Sequence, residues 1–246
     1  MLPSLHEKIR QVVGPERFVE SPRPVALVAD EGEISALVKL ANIEGFSLLP
    51  IGGGTSFPPD YRMDQNTVAL VTIRMKTILG INRKNLTLAA ESGVTGSDLV
   101  PWMEKEGYFV PFFNRVPKST IGGLISQPRR AGIDASSIGN ILLRFQLVLP
   151  KGDVVQFGGG TIKDVSGYNM MGLICGARGK FGVITRVIFR VFPKALEQEI
   201  SERFESPGDL EEGSIPEEPR PIADRLKVLL DPHGVFNSIK FNTEQH

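Results

Sequence analysis

"LLPIGGGTSFPPD", Leu48 to Asp60, places three consecutive glycines directly after an apolar run, followed at once by Thr55 and Ser56. Consecutive glycines can present their backbone N–H groups as a nest for phosphate oxygens, and the two hydroxyls add further donors. A turn that only reverses the chain is the alternative for a single glycine triplet. The stretch therefore indicates either an anion-binding loop or a plain turn, and other parts of the sequence are needed to decide between these two interpretations.

A strand–helix–strand unit leads into this loop. Pro24–Ala29 and Phe46–Ile51 predict strands, the second ending at the glycines. Between them, Asp30 with Glu33 three residues later predicts a capping box, and Gly45 predicts the end of the helix. Residues spaced i, i+3, i+4 and i+7 give that helix one apolar face: Ile34, Leu37, Val38 and Ala41.

Downstream, the pattern predicts a mixture of strands and helices. The predicted elements are strands at Thr67–Thr72, Leu86–Glu91 and Gly182–Pro193, a helix at Asp98–Glu106, and a hairpin over Leu142–Gly158 with its turn at Pro150–Asp153. Pro111–Gly139 lacks periodicity and is too long for an idle connection, so we expect a functional loop there. Residues 194–221 are acidic and nearly free of large apolar side chains, which predicts a solvated linker. Residues 222–246 predict a short helix and a terminal loop.

Composition excludes several classes of protein. The 246 residues include 28 basic and 28 acidic side chains, so a zero formal charge gives no sign of a nucleic-acid partner. No apolar run reaches the length of a membrane span, and no signal-peptide core is present, so we expect a cytoplasmic protein, with membrane association through a complex left open. The single cysteine, Cys175, allows neither an intrachain disulfide nor an iron–sulfur cluster held by this chain alone, and we expect it to be buried and unreactive.

The glycine loop fits neither of the common nucleotide motifs. It has no G-K-[ST] and is therefore not a P-loop, and it follows the second strand without the G-x-G-x-x-G spacing of a Rossmann domain. Glycine-rich places nevertheless recur along the chain, at Gly52–Gly54, Gly122–Gly123, Gly158–Gly160 and Gly176–Gly182. Together they favour a long ligand that lies across many backbone segments.

Five motifs in order carry a family resemblance: "PIGGGTS", "STIGGLIS", "GGGTIKDVSGYN", "GARGKFGVITRV" and "LDPHGVFN". From about Val25 to Asn237, without the acidic linker, the chain resembles the FAD-binding domain of the vanillyl-alcohol oxidase and p-cresol methylhydroxylase (PCMH) superfamily. Within it, the flavin subunits of bacterial glycolate oxidases are most similar. The resemblance implies an α+β, PCMH-type FAD-binding fold of two α/β subdomains, residues 1–109 and 110–193, with residues 222–246 returning to them.

The resemblance also implies how FAD is held. The first glycine loop binds the pyrophosphate through N–H groups, the segment from Pro111 follows the pyrophosphate and ribityl chain, the strand from Gly182 meets the adenine end, and Asn237 closes over the flavin side. The residues implied to contact FAD are Pro50, Ile51, Gly52, Gly53, Gly54, Thr55, Ser56, Pro111, Thr120, Gly122, Gly123, Ser126, Gly132, Ser137, Gly139, Lys163, Gly182, Val183, Ile184 and Asn237. FAD is expected to be noncovalent, since no histidine lies in the first glycine loop or in Pro111–Gly139.

Several side chains have two possible roles. Lys163 places a positive charge near the flavin ring, where it favours the reduced anionic form, or is a surface lysine. Arg129 and Arg130 are either phosphate or flavin partners or a solvated pair. Three aromatic residues either shield the ring or belong to the core: Phe112, Phe113 and Tyr168.

The sequence departs from the family where a cap domain is expected. Members insert a substrate-binding cap before the terminal helix, whereas residues 194–221 are a short acidic linker, so the cap is expected to be absent or vestigial. No catalytic residue and no metal site is predicted. The favoured function is the FAD-binding subunit of a multi-subunit oxidoreductase for a 2-hydroxy acid such as glycolate or lactate. A partner subunit, carrying an iron–sulfur relay or the substrate site, would then cover the flavin. The alternatives are a self-contained capless flavin oxidoreductase and a structural subunit that has lost FAD.

Overall fold

The computed structural model describes residues 3–20, 23–56, 63–159, 170–204 and 221–236. Its strands are β1 (Phe18–Val19), β2 (Val25–Leu27), β3 (Ser47–Ile51), β4 (Thr67–Val71), β5 (Ile78–Asn82), β6 (Thr87–Glu91), β7 (Tyr108–Phe109), β8 (Leu142–Val148), β9 (Val154–Gly158), β10 (Val183–Arg190) and β11 (Phe192–Pro193). Its α-helices are α1 (Pro3–Val13), α2 (Glu31–Glu44), α3 (Gly96–Glu106), α4 (Ile121–Ser126), α5 (Ala135–Ile141), α6 (Met170–Ile174), α7 (Glu197–Phe204) and α8 (Pro221–Leu230).

The first sheet has the order β1-β2-β4-β3, in which β2, β4 and β3 are parallel. Its α2 begins where predicted, because the Asp30 carboxylate accepts from the Glu33 N–H at 2.9 Å, and it ends at Gly45 with φ 72°. The other half of the predicted capping box is wrong. The Glu33 carboxylate accepts from the Ala29 N–H at 2.8 Å and pairs with Arg17 at 2.6 Å, which ties the helix start to the preceding turn.

The second sheet has the order β5-β6-β10-β8-β9 and is antiparallel throughout. The predicted hairpin is confirmed, with β8 and β9 joined by a turn in which the Gly152 N–H donates to the Leu149 carbonyl at 2.8 Å. The sheets do not divide at the predicted boundary between residues 109 and 110. Strands β5 and β6, from the N-terminal side of that boundary, pair into the second sheet because β6 lies beside β10.

The segment Pro111–Gly139 is not an unstructured loop. It contains α4, a 3-10 turn at Pro128–Ala131, and the start of α5. Side-chain caps start both helices, since the Thr120 hydroxyl accepts from the Gly123 N–H and the Asp134 carboxylate from the Ser136 N–H. Their shortness explains the missing period, because one or two turns give too few residues to show it.

Residues 194–204 are likewise not a solvated linker. A 3-10 turn leads into α7, where Ile200 is buried and the Phe204 ring packs edge-on against Phe112 at 5.5 Å. The Lys194 ammonium joins Glu104 at 2.9 Å and Glu197 at 2.7 Å. The remainder of the predicted linker lies outside the described residues, apart from the start of α8.

The chain returns to the first sheet after α8. The Asp231 carboxylate accepts from the N–H groups of Val235 and Phe236, at 2.7 and 2.9 Å, and from the Lys227 ammonium. This turn lets Phe236 lie parallel to Leu48, whose N–H donates to the Val235 carbonyl at 2.6 Å. Burial lowers the pKa of Lys227, against the opposing effect of Asp231. Residues from the far end of the sequence thus cover the outer edge of β3.

The two sheets are docked through the hairpin turn. Ser35 on α2 donates to the Gly152 carbonyl at 2.5 Å, and Asn42 donates to the Pro150 carbonyl at 2.8 Å. Val148 and Val183 of the second sheet are buried within the core of the first. Among the described residues, no helix is long and apolar enough to cross a membrane.

Candidate cofactor-binding site

An open cleft lies where the end of β3, helix α4 and the start of β10 meet. Its space, including the mouth that opens to solvent, is about 650 Å³. The cleft is lined by Pro50, Ile51, Gly52, Gly53, Gly54, Thr55, Ser56, Thr72, Thr120, Gly122, Gly123, Ser126, Gln127, Arg178, Gly179, Gly182, Val183 and Ile184.

The glycine loop after β3 packs directly on the start of α4. A Cβ added at Gly52 would lie 2.1 Å from the Thr120 hydroxyl oxygen, and one at Gly53 would lie 2.9 Å from the Lys118 carbonyl oxygen. The Thr55 and Ser119 hydroxyls are 3.2 Å apart. The first two glycines are therefore required for the close approach of the two cleft walls, which a plain reversing turn does not need.

Unused donors in the cleft come from this loop. Within the part of the chain that the structure describes, the N–H groups of Gly53 and Gly54 make no hydrogen bond. Gly54 has φ 72°, and an added Cβ there would meet no atom within 4 Å, so its constraint is conformational rather than steric. Two adjacent free N–H groups beside two hydroxyls are a donor set suited to phosphate oxygens.

The start of α4, by contrast, has no free donors to offer. Its first N–H groups donate to the Val94 carbonyl at 2.9 Å, the Ser92 carbonyl at 2.8 Å and the Thr120 hydroxyl at 3.2 Å. These bonds fix α4 to the loop that follows β6. The helix therefore serves as a wall of the cleft rather than as an anion site.

The third wall is the turn 176–182. The Arg178 N–H donates to the Ser126 carbonyl at 3.1 Å, and a Cβ on Gly179 would lie 3.3 Å from the Pro50 ring. Gly182 has φ 149°, and an added Cβ would lie 2.3 Å from the Val148 carbonyl oxygen. The turn is thus fixed to the other two walls, and β10 starts inside the cleft.

The cleft is also lined by polar side chains that sequence reasoning missed. The Gln127 Oε1 atom is buried and has no hydrogen-bond partner among the described residues. Arg178 is the one ionisable side chain among the described lining residues, and its backbone is left-handed, with φ 56°. Thr72 and Gly179 were missed as well. Gly179 stands in a quoted motif, whereas Gln127 and Thr72 carry no local signal because only the docking of α4 and β4 places them here.

The structure brings most of the predicted cofactor residues together and leaves others apart. The whole first loop, the glycines and Ser126 of α4 with Thr120, and Gly182 to Ile184 line the cleft. Pro111, Gly132, Ser137 and Gly139 do not line it. Lys163, Tyr168 and Asn237 lie outside the described residues.

Neither the two phenylalanines nor Arg129 lines the cleft. Phe112 and Phe113 are buried core residues, with Phe113 packed against Phe189 at 5.7 Å, so they do not shield a cleft ligand. Arg129 is exposed and, after the stronger hydrogen bonding by Ser136, helps to lower the pKa of Asp134. Arg130 has no described side chain.

Cys175 lies just before the third wall and is buried. Burial raises the pKa of its thiol to about 11, which keeps it protonated and unreactive at neutral pH. The described residues contain no cluster of three His, Cys, Asp or Glu side chains that could hold a metal ion.

The residues of the cleft fit FAD. The free N–H groups and hydroxyls suit a diphosphate, Arg178 supplies the opposite charge, and the buried Gln127 Oε1 offers an acceptor for a ligand N–H or O–H. Fold and cleft together define a domain that binds a nucleotide cofactor with a diphosphate bridge, in line with the expected PCMH-type FAD-binding fold.

Comparison with known proteins gives the family. The family model described as "FAD binding domain" matches residues 22–158, and the chain belongs to that family. FAD is accordingly its cofactor.

Curated relatives extend the similarity beyond the matched domain. The chain is 29% identical to glycolate oxidase subunit GlcD of Bacillus subtilis, over 76% of this chain and 44% of that protein. It is 30% identical to a D-lactate dehydrogenase of Archaeoglobus fulgidus, over 78% of this chain and 47% of that protein. The chain therefore spans less than half the length of these relatives.

Solved structures agree on the fold. Substrate-bound p-cresol methylhydroxylase aligns with a TM-score of 0.64 at 16% identity, covering 78% of this chain and 43% of that one. An alkyldihydroxyacetonephosphate synthase aligns with a TM-score of 0.63 at 19% identity, covering 78% and 42%.

Proposed function

We propose that this chain is the FAD-carrying part of an oxidoreductase that acts on a 2-hydroxy acid such as glycolate or D-lactate, with FAD held noncovalently. The observation that carries the proposal is the cleft, in which three backbone segments far apart in sequence meet around unused N–H groups. The names of the relatives, a glycolate oxidase subunit and a D-lactate dehydrogenase, support the substrate class.

The cleft residues divide the work of binding. The N–H groups of Gly53 and Gly54, with the hydroxyls of Thr55 and Ser56, hold the diphosphate, while Gln127 accepts from a hydroxyl or amide of the cofactor. Bound FAD supplies the hydride acceptor. The protein must still provide a base for the substrate hydroxyl and a cation for its carboxylate.

The described lining of the cleft contains no His, Asp, Glu or Lys that could serve as this base. His233 does not supply it either, because its ring contacts Asn42 on α2 and does not line the cleft. We further propose that the substrate groups belong to a partner subunit that covers the flavin and also carries the onward electron relay. A self-contained enzyme remains the alternative outcome of the test.

The test combines a spectrum with a reduction assay. The purified chain, loaded with FAD, is expected to show an oxidised flavin spectrum, and the flavin is expected to pass a filter after denaturation. Anaerobic addition of glycolate or D-lactate should then bleach the flavin only when the partner is present. Bleaching by the chain alone would favour the self-contained enzyme, flavin retained on the filter would overturn noncovalent binding, and a chain that takes up no FAD would overturn the whole proposal.

A further inference from the structure

Arg178 places a full positive charge in the cleft of a protein whose formal net charge is zero. The chain is formally neutral, so no general field draws an anion into the cleft. The donors of the glycine loop after β3 are backbone N–H groups and hydroxyls, which carry only partial charge. FAD brings a diphosphate with two negative charges, and among the described lining residues Arg178 alone carries a full positive charge.

The position of Arg178 is fixed by its neighbours on both sides. Its own N–H donates to the Ser126 carbonyl at the end of α4, at 3.1 Å. The next residue, Gly179, packs on Pro50, which stands two residues before the glycine loop. Arg178 is therefore held between α4 and the glycine loop, and the glycine loop supplies the phosphate-binding donors.

The backbone of Arg178 is in a conformation that glycine adopts more readily. Its φ is 56°, in the left-handed region where a side chain is crowded, while Gly176 and Gly179 in the same turn have φ of 80° and 74°. Such strain persists where the surrounding structure determines the conformation, and it gathers at ligand sites. An arginine at this point of the turn is thus locally unfavourable.

We propose that the Arg178 guanidinium binds the diphosphate of FAD and makes the affinity of the cleft depend on one charge pair. The guanidinium can donate two parallel hydrogen bonds to phosphate oxygens, which a lysine ammonium cannot do in the same geometry. The inference rests on FAD binding by this cleft and is independent of the oxidoreductase chemistry and of any partner.

The test measures the FAD dissociation constant by flavin fluorescence for the wild type, Arg178→Gly and Arg178→Asn, at low salt and at about 1 M salt, where the Debye length falls to about 3 Å. Both replacements tolerate a left-handed backbone, so the turn is kept. Arg83→Ala, which removes an exposed arginine on the β5–β6 hairpin, is the matched control for loss of one positive charge. Urea unfolding of each apo variant reports whether the fold is intact.

We expect both Arg178 variants to bind FAD roughly ten- to hundredfold more weakly at low salt, with a smaller dependence on salt than the wild type, while Arg83→Ala matches the wild type. ADP, which carries the diphosphate without the flavin, should lose affinity in the same variants. An unchanged FAD affinity would overturn the proposal, and so would a loss that leaves the salt dependence intact. Failure of the wild type to bind FAD would instead contradict the function proposed above.

Discussion

At the scale of single residues, Gly52 is the position where packing and ligand binding depend on the same missing side chain. The Thr120 hydroxyl that an added Cβ would meet at 2.1 Å also caps α4 through the Gly123 N–H. We expect Gly52→Ala to lower the free energy of unfolding by about 2 kcal/mol, because the hydroxyl must leave its cap or the loop must shift. FAD affinity should fall at least about tenfold, as measured by flavin fluorescence.

Gly139→Ala is the matched control for Gly52→Ala. Gly139 lies in α5 and an added Cβ would meet no atom within 4 Å, so alanine should raise the free energy of unfolding by about 0.5–1 kcal/mol. The FAD affinity should stay the same, since Gly139 does not line the cleft. A weaker affinity of this variant would restore Gly139 to the cofactor site, where the sequence resemblance placed it.

Cys175 gives a prediction that depends on pH. With a thiol pKa of about 11, only about one molecule in a thousand carries the thiolate at pH 8, and the side chain is buried as well. We expect a thiol reagent to label the native protein at a negligible rate and to label one cysteine per chain after denaturation. Prompt labelling of the native protein would contradict the buried position.

The same pKa shift makes stability depend on pH in one direction. The unfolded thiol loses its proton near its ordinary pKa of 9.0, whereas the folded thiol keeps it up to about 11. The unfolded state therefore binds fewer protons in this window, and the free energy of unfolding should decline as the pH rises through it. Cys175→Ala should show a smaller decline over the same range in urea titrations.

The predicted residues that line the cleft are mostly those marked by glycine in the local sequence. Gly52–Gly54 and Gly182 could be recognised because glycine runs mark close approach. Gln127 and Arg178 could not, since nothing near them in sequence states which way a side chain faces once α4 and the turn 176–182 have docked. Gly132 and Ser137 were placed by analogy with a motif and are not in the cleft lining.

At the scale of elements, α7 is a packed helix in a segment whose acidic composition predicted a solvated linker. Its charged residues face solvent, but Ile200 and Phe204 turn inward, and the Phe204 ring contacts Phe112 and Phe192 at 5.5 and 6.1 Å. We expect Phe204→Ala to lower the free energy of unfolding by about 2 kcal/mol, less than for a fully buried phenylalanine. Urea unfolding followed by circular dichroism measures the change.

The control for this helix is Glu202→Ala. Glu202 is exposed, and its contact with Gln198 at 3.3 Å is a surface hydrogen bond, so the change should stay within about 0.5 kcal/mol. Equal effects of the two substitutions would mean that α7 does not pack on the core as described.

Helices with side-chain caps and several turns of apolar periodicity were predicted well. Short strands, which exist only because they pair with a neighbouring strand, were not. Helix α2 has an Asp30 cap, an apolar face and a Gly45 stop, and its bounds match closely. Strand β5 was missed because its alternating, half-exposed pattern in "ILGIN" is short and its identity depends on pairing with β6. A two-residue strand such as β7 carries no periodicity at all.

At the scale of the whole molecule, the cleft ties the two sheets together. It draws its walls from both, and the contacts of Ser35 and Asn42 with the hairpin turn join the sheets behind it. We expect one cooperative unfolding transition, and FAD at about 100 times its dissociation constant should add about 2.7 kcal/mol to the whole of it.

Each of the two sheets has a probe that can test this prediction. Trp102, the single tryptophan, packs against the core of the second sheet, and amide hydrogen exchange of β4 reports on the first. FAD should shift the Trp102 melting curve and slow the β4 amides together. A shift confined to one sheet would show that the two unfold separately.

The α+β class and the PCMH-type fold were predicted through the order of motifs. The sharing of strands between the two halves was not, because β6 and β10 are about a hundred residues apart and pairing over that distance leaves no local trace.

The pairing of Phe236 with Leu48 has a consequence for biosynthesis. A ribosome releases the chain from its N-terminus, so β3 emerges long before the residues that cover its outer edge. Until residue 236 has been translated, that edge presents unpaired N–H and carbonyl groups next to an apolar strand, a surface that invites pairing with other nascent chains. The interval is set by the 188 positions that separate Leu48 from Phe236 along the chain (236 − 48). Slow translation should therefore favour aggregation, and a chaperone that shields extended strands should raise the yield of folded protein.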